Sequence, residues 1–357
     1  MAKKSTGELY RDVDENVYYN IRIENKEETF KQAIFRSTKV QNIISNPNEY
    51  ELAVVRFSVP SYNIPVYFFN DDVLSFTFGV EIEGKEYVAS RPFEYVLKRI
   101  PQLYGRKTLW SYNEMIDIMN TTLEDLFEDL TTAVEDDGKD LPDGITTPPF
   151  FIFDPTTRLI SYYIEDGWVD EDAVPVVDWY CSPEVQRLFP TFVFLYNGGA
   201  PDDLKYQFSP VERYFNKNTY EGVEYLVMVQ DSPTLYLWSP LKTIQFQTQS
   251  IPVNPEFLPS VNNAFSRVIT DFEAPSDDPS RQPIQFFPQG PLRYYDLKSN
   301  YGLRDIDLVV EWVDCDGTPY PVYLTKGDIL TCKLLFRRKT RDILNDAIGR
   351  GELEGNN

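Results

Sequence analysis

The stretch from Pro291-Leu-Arg-Tyr-Tyr-Asp-Leu-Lys-Ser to Lys333-Leu-Leu-Phe-Arg-Arg-Lys339 decides the fold, because it is a series of strands joined by a hairpin turn. From Ile306 to Trp312 the residues at every second position are apolar, the period that buries one face of a strand. Asp316-Gly317 supplies the positive-φ turn of a tight hairpin. Ile329 to Phe336 is a last apolar strand. The stretch predicts antiparallel sheet and carries no motif of reaction chemistry.

Composition favours an all-β protein. Of the 357 residues, 42% are hydrophobic, which suffices for a buried core, and 15% are aromatic, a class enriched in strands. The chain has no histidine, which excludes Ser-His and Cys-His nucleophile systems and the commonest zinc ligand. A glycosidase with paired carboxylates remains an alternative, although 56 acidic residues make such pairs easy to find by chance. We predict that the protein is not an enzyme.

The net charge of −22 argues against a dominant nucleic-acid surface, because DNA binding depends on cations that neutralise phosphates. Any DNA contact must therefore be local. One basic cluster ends the last strand and is a candidate for contact with DNA or a neighbouring subunit: Lys333, Arg337, Arg338, Lys339 and Arg341. A solvated strand end that faces acidic neighbours explains this cluster equally well. Lys3-Lys4 is a second candidate for DNA contact.

Cysteine usage and the lack of a targeting signal predict synthesis in a reducing compartment, the cytoplasm or the nucleus. Cys181, Cys315 and Cys332 are widely spaced and form no C-x-x-C pair, so neither a zinc ribbon nor a disulfide framework is implied. The segment from Met1 to Gly7 lacks the apolar core of a signal peptide. No run approaches the ~20 apolar residues that a membrane span needs.

Local signals predict further strands and one long helix. Tyr50 to Val59 is a buried strand, Ile64 to Phe69 is a second strand, and Phe150 to Phe153 forms a hairpin with Leu159 to Ile164. Ser111-Tyr-Asn-Glu114 has the form of a capping box, which predicts that a helix begins there. The core-facing stripe of this helix comprises Ile116, Met119, Leu123, Phe127 and Leu130.

Several polar patterns bear on metal binding and on subunit contact. Asp314-Cys-Asp316-Gly317 resembles the start of a calcium loop, but the remaining ligands are missing and a hairpin turn explains it. Gln245, Gln247 and Gln249 share one face of a strand that either lines a subunit contact or meets water. Structural calcium would relieve repulsion between chains of charge −22 that approach within the Debye length of ~8 Å. The sequence indicates no location for it, and we predict no cofactor.

Segments spread over residues 48 to 339 carry a family resemblance. They are Asn48-Glu-Tyr-Glu-Leu-Ala-Val-Val-Arg-Phe-Ser-Val-Pro60, Pro149-Phe-Phe-Ile-Phe-Asp154 with Leu159-Ile-Ser161, Trp238-Ser-Pro-Leu-Lys-Thr-Ile244, Pro291-Leu-Arg-Tyr-Tyr-Asp-Leu297 and Lys333-Leu-Leu-Phe-Arg-Arg-Lys339. In these segments the chain resembles the minor capsid, or penton, proteins of Polinton-like viruses, adintoviruses and virophages. None of the segments is a catalytic signature.

The resemblance implies a jelly-roll β-sandwich with a helix-containing insertion. It also implies a homopentamer at the fivefold vertices of an icosahedral double-stranded DNA virus shell, built mainly from a double jelly-roll major capsid protein. The basic cluster would then suit an inner position that faces genomic DNA or an acidic neighbour. We assign the jelly-roll core to residues 16–70 and 236–340 and the insertion to 71–235. Residues 1–15 are assigned to a flexible arm and 341–357 to a tail.

A β-sandwich attachment or carbohydrate-binding protein of a virion is the alternative function. Trp168 and Trp179 are the candidates for stacking on sugar rings, which requires that they be exposed. Such a protein would bind glycans as a monomer or a trimer. A double jelly-roll major capsid protein is a further alternative, for which 357 residues are few.

Overall fold

The structure is a computed structural model that describes residues 16–61, 63–70, 73–95, 106–169, 176–197, 208–210, 215–258, 264–273, 283–286 and 291–339. The chain divides into two compact units: unit 1 has residues up to Ile64 and from Leu241, and unit 2 is Pro65–Pro240. The sequence predicts these junctions a few residues away, at 70/71 and 235/236. The predicted arm and tail lie outside the described residues.

Unit 1 contributes strands from both ends of the chain, and unit 2 lies between them in sequence. Before the insertion, unit 1 has β1 (Val17–Glu24), β2 (Lys31–Gln32), β3 (Ile34–Thr38), a 3-10 turn (Pro47–Glu49) and β4 (Tyr50–Val59). Unit 2 has β5 (Tyr67–Phe68), β6 (Ser75–Ile82), β7 (Lys85–Pro92), β8 (Thr108–Leu109), α1 (Tyr112–Glu135), β9 (Phe150–Asp154), β10 (Leu159–Ile164), a 3-10 turn (Asp166–Trp168), β11 (Asp178–Cys181), α2 (Pro183–Leu188), β12 (Phe194–Tyr196), β13 (Phe208–Pro210), β14 (Asn216–Tyr220), β15 (Val223–Val229) and a 3-10 turn (Leu235–Trp238). Unit 1 then continues with β16 (Thr243–Gln247), β17 (Glu256–Leu258), β18 (Ala264–Ser266), β19 (Val268–Glu273), β20 (Ile284–Phe286), β21 (Tyr295–Asp296), β22 (Asp305–Val313), β23 (Pro319–Pro321), β24 (Tyr323–Leu324) and β25 (Ile329–Arg338).

Two antiparallel sheets of unit 1 have the strand order of a jelly roll. One sheet runs β1-β25-β4-β20, and the other runs β19-β16-β22 with β3 and β23 on the far side of β22. The eight principal strands in chain order are β1, β3, β4, β16, β19, β20, β22 and β25. When these eight strands are numbered 1 to 8 in chain order, the first sheet has the order 1-8-3-6 and the second the order 2-7-4-5. This is the connectivity of two Greek keys. The predicted all-β class is confirmed, and the strand order is that of the predicted jelly roll.

The core of unit 1 lies between these two sheets. Phe57 of β4 points at the opposite sheet, where its ring centroid lies 5.0 Å from that of Phe246 and 4.9 Å from that of Phe272. Trp312 is fully buried and stacks on Tyr320 with 4.5 Å between ring centroids. The predicted apolar face of β22 is confirmed, because Ile306, Leu308, Val310 and Trp312 are buried.

Unit 2 packs two antiparallel sheets and helix α1 around a second core. One sheet has the order β14-β15-β10-β9 and the other β12-β13-β11-β6-β7. Phe151 of β9 lies at the centre of this core, with its ring stacked on that of Phe189 at 5.1 Å. The insertion therefore has its own buried centre.

The predicted capping box and helix are confirmed. Ser111 Oγ accepts a hydrogen bond from Glu114 N at 3.2 Å, and Glu114 Oε2 accepts one from Ser111 N at 3.3 Å. The predicted stripe is buried except for Phe127, which is partly buried against the same core. Among the described residues, no helix has the length and apolar character needed to cross a membrane.

The predicted strand from Ile64 to Phe69 is too long, because only Tyr67–Phe68 pairs, with β8. Ile64 N instead donates to Ser61 O at 2.8 Å in a turn. Pro65 follows and has no N–H to donate to a ladder.

Gly317 adopts the positive φ predicted for the hairpin turn, at 80°. We expect Gly317→Ala to lower the free energy of unfolding by at least about 1 kcal/mol, because a Cβ is strained at this φ. Denaturant unfolding monitored by tryptophan fluorescence measures the change. Gly79→Ala is the control, since Gly79 lies in a strand and the nearest atom to an added Cβ would be 3.8 Å away. Equal stability of Gly317→Ala and wild type would contradict the expectation.

Candidate subunit-contact surface

The predicted basic cluster begins within β25, and two of its arginines, Arg337 and Arg338, are paired within the chain. Arg337 Nε donates to Glu51 Oε1 at 2.7 Å, and the Arg337 guanidinium lies 3.5 Å from the ring centroid of Tyr294. Arg338 lies 3.1 Å from Glu49. Glu51 pairs with Arg337 across the β4–β25 ladder, so the sheet register itself brings acid and base together.

The lysines of the cluster also have partners. Lys339 Nζ lies 3.1 Å from Asp296 Oδ1 and donates to Asn48 O at 2.8 Å. Lys333 Nζ lies 4.3 Å from the ring centroid of Tyr18 on the adjacent strand β1. Arg341 lies outside the described residues, as does Lys3-Lys4. The described members of the cluster are thus half-buried, and Arg337, Arg338 and Lys339 are neutralised within the chain. Contact of the cluster with DNA or a neighbour stays a prediction.

The glutamine face of β16 is largely occupied by one carboxylate. Gln245 is buried, and its Nε2 donates to Glu311 Oε2 at 2.8 Å, while Gln247 Nε2 donates to the same oxygen at 2.5 Å. Burial raises the pKa of Glu311, and the hydrogen bond from Gln245 offsets part of that rise. The row therefore stabilises the β16–β22 pair, and a role in subunit contact stays a prediction.

Asp307 is a buried carboxylate that organises the chain after β16. Its oxygens accept hydrogen bonds from Thr248 Oγ1 at 2.6 Å, from Ser250 N at 2.8 Å and from Gln249 N at 2.8 Å. Burial alone would raise the pKa of Asp307, but the hydrogen bonds from Ser250, Thr248 and the backbone lower it below the ordinary value.

We expect this carboxylate to make folding stability depend on pH. Because the pKa of Asp307 is lower when folded than when unfolded, its contribution is complete above the unfolded pKa and is lost as pH falls through the folded pKa. Asp307→Asn should lower the free energy of unfolding at neutral pH by about 1–3 kcal/mol. Below about pH 4, the free energy of unfolding of this variant should decrease less steeply with falling pH than that of the wild type. Urea unfolding at a series of pH values measures both. An unchanged pH slope in Asp307→Asn would contradict the assignment. The exposed Asp305→Asn is the matched control.

The acidic turn after β22 is a hairpin turn, as the sequence predicts. Asp314 Oδ1 accepts from Asp316 N at 2.9 Å and from Thr318 N at 2.8 Å, so its carboxylate is used by the turn. Across the described ranges, no group of three or more acidic or cysteine side chains is placed to hold a metal ion. Burial raises the pKa of Cys332 to about 12 and also raises that of Cys181, which keeps both thiols protonated.

The carbohydrate-binding alternative requires Trp168 and Trp179 to be exposed, and this expectation is wrong. Trp168 and Trp179 are only 2% and 5% exposed and belong to the core of unit 2. Trp168 meets Phe78 at 5.1 Å between ring centroids, and Trp179 meets Tyr162 at 4.8 Å. Tryptophans that line a core cannot stack on a sugar in solvent.

Known proteins match this chain over both units. The family model described as Sputnik minor capsid protein V18/19 matches residues 98–338. Structural protein V19 of the Sputnik virophage is 27% identical over 209 residues, which cover 53% of this chain and 94% of that protein. A chain from the cryo-EM structure of the Sputnik virophage has a TM-score of 0.73 at 25% identity, covering 92% of this chain and 99% of that chain. The crystal structure of the mavirus penton protein shares the fold, with a TM-score of 0.65 at 17% identity over 91% of this chain and 99% of that chain.

Proposed function

Because the chain belongs to the Sputnik minor capsid protein V18/19 family, and is therefore a structural protein of a virion, we propose that it forms homopentamers at the fivefold vertices of an icosahedral shell. The predicted resemblance to virophage minor capsid proteins is confirmed by this membership. The prediction that the protein is not an enzyme is also confirmed, because the family consists of structural proteins.

The fold is the observation that carries the pentamer proposal. The likeness to the mavirus penton protein extends over 91% of this chain, so it includes both the jelly roll and the inserted unit. The shared fold supports a penton role for this chain too. Function then depends on shape and surface rather than on a reaction centre. Stable contacts between neighbouring copies require roughly 2,000 Å² or more of buried area for an obligate interface.

Other virion components are the natural partners of such a capsomer. We propose a double jelly-roll major capsid protein around each vertex and genomic DNA at the inner surface. To bind DNA, the basic cluster would have to replace its ion pairs with Glu49, Glu51 and Asp296 by contacts with phosphates. That exchange makes the DNA contact weak and strongly dependent on salt. The protonated thiols of Cys181 and Cys332 fit synthesis in the reducing cytoplasm or nucleus of the host.

Light scattering of the purified chain tests the proposal. A homopentamer gives five times the chain mass of 41.6 kDa. The measurement is made with and without calcium, because a divalent ion would relieve the repulsion between chains of net charge −22. A monomer in both conditions, at concentrations well above micromolar, contradicts self-assembly. If a pentamer forms only when calcium is present, the ion has a structural role in assembly.

A further inference from the structure

Among the described residues of unit 1, the most exposed large apolar side chains project from two loops that are hydrogen-bonded to each other. Val40 is 96% exposed and Tyr301 is 84% exposed. Lys39 N donates to Arg304 O at 3.0 Å, and Arg304 Nε donates to Asn42 Oδ1 at 2.8 Å. These bonds fix the loop after β3 against the loop before β22. An isolated exposed valine is ordinary, but two apolar groups on one braced end make it a candidate contact surface.

The backbone beside Tyr301 is braced as well. Tyr301 N donates to Ser299 Oγ at 3.0 Å, and Ser299 Oγ donates to Tyr301 O at 3.1 Å. At Gly302 an added Cβ would overlap the side-chain amide of Asn42, so the two loops approach as closely as a glycine allows. The backbone that carries Tyr301 is thus ordered, and a contact through this residue loses little backbone conformational entropy.

Three exposed cations lie next to these apolar residues in the chain or within three positions of them: Lys39, Lys298 and Arg304. Within the described part of the chain, none of the three pairs with a carboxylate, whereas Arg337, Arg338 and Lys339 all do. We call Val40, Tyr301 and these three cations the basic loop end. In a chain of net charge −22 it is a local site of the opposite sign.

A matching recess lies beside α1 in unit 2. Its volume is about 120 Å³, close to the ~150 Å³ of a protein cavity that holds a benzene ring. Pro92 and Ile118 line its apolar part. The remaining lining residues are Arg91, Glu94, Asp117, Thr121, Thr122 and Asp125. Arg91 is already committed to the Asp125 and Asp129 carboxylates, with Nη1 3.2 Å from Asp125 Oδ2, so the rim is net negative.

The negative charge continues along the solvent face of α1. Glu124 and Glu128 are exposed and four residues apart, which places them on one face of the helix. Neither pairs with a cation among the described residues. The recess therefore presents an aromatic-sized apolar slot with carboxylates on its rim and beside it.

We propose that Tyr301 of one copy enters the recess beside α1 of a second copy, with Lys39, Lys298 and Arg304 facing the carboxylates of that helix. The contact rests on the proposed homopentamer and assigns part of its interface. It is heterologous, because the two surfaces differ, and a heterologous contact forms a ring when the rotation between copies closes, as the proposed homopentamer requires. DNA does not fit the recess, which is acidic, and Val40 of the basic loop end offers nothing to a phosphate. A copy of this acidic chain supplies the complementary charge.

Charge reversal tests the contact in the full-length protein. Light scattering across a dilution series gives the concentration at which half of the assembly dissociates, at about 50 mM and about 500 mM salt. Lys39→Glu with Lys298→Glu should raise this concentration at least about tenfold at low salt and less at high salt. Adding Glu124→Lys and Glu128→Lys should recover most of the loss. Tyr301→Ser should weaken assembly at both salt concentrations.

Two controls match these variants. Lys26→Glu with Lys31→Glu makes the same change in net charge at exposed positions elsewhere on unit 1 and should leave assembly unchanged. Leu195→Ser removes a side chain that is 57% exposed on unit 2 and should also have no effect. A pentamer that survives Lys39→Glu with Lys298→Glu at wild-type strength overturns this contact alone. A wild-type chain that never assembles overturns the homopentamer and this contact together.

Discussion

Replacing Phe57 by alanine should lower the free energy of unfolding of unit 1 by about 3–5 kcal/mol, the usual cost of removing a buried ring. Phe57 is 3% exposed and is the residue of β4 whose ring meets Phe246 and Phe272 of the opposite sheet. Its removal would leave a cavity between the two jelly-roll sheets. Guanidinium unfolding followed by tryptophan fluorescence, to which the buried Trp312 of unit 1 contributes, measures the loss.

Phe57→Leu is the control, because it keeps most of the apolar volume. We expect it to lower the free energy of unfolding by less than half as much as Phe57→Ala. If the free energy of unfolding of Phe57→Ala is lowered by less than about 1 kcal/mol, the ring of Phe57 is not packed between the two sheets of the sandwich.

Phe151→Ala should destabilise unit 2 by about 3–5 kcal/mol. Phe151 is 1% exposed and its ring lies 4.7 Å from that of Tyr162, in addition to the stack on Phe189. Asn120 of α1 also hydrogen-bonds the backbone of Phe151 in both directions, at 2.9 Å and 2.7 Å. Since α1 is the long helix of unit 2, thermal unfolding followed by helical circular dichroism measures the loss.

The neighbouring residue on the same strand provides the matched control. Phe150 points to the other face of β9, is partly exposed and stacks on Tyr163 at 5.0 Å. Phe150→Ala removes the same number of atoms from a site that water already reaches, so it should cost clearly less than Phe151→Ala. Equal losses in the two variants would mean that the core of unit 2 does not centre on Phe151.

The elements that sequence reasoning predicts correctly are those with local signals. The run from Tyr50 to Val59 is strongly apolar, and it is observed as β4 over the same residues. The helix start at Ser111 is specified by four consecutive residues whose side chains and backbone bond one another. Gly317 shows the same principle, because the turn requires a φ that the residue type permits.

What the sequence could not show depends on contacts between distant residues. Trp168 and Trp179 have the composition of a sugar platform, and only the packing of unit 2 around them decides that they are buried. The basic cluster on β25 could be found, but its partners Glu49, Glu51 and Asp296 become visible only through the sheet register and the loop beside it. The recess beside α1 has no sequence signal, because β7 and α1 meet there only in the folded chain.

The position of β25 in its sheet also orders events during translation. This strand lies between β1 and β4, yet it is synthesised after every other strand described, while all of unit 2 is made before residue 241. On the ribosome, unit 2 is therefore able to form its core before β25 has been synthesised and can pair with β1 and β4. A chain stopped before residue 329 would expose two unpaired strand edges, which favours aggregation and removal over entry into a growing shell. The sheet that contains β1 and β4 is thus completed only after residues up to Arg338 have been made.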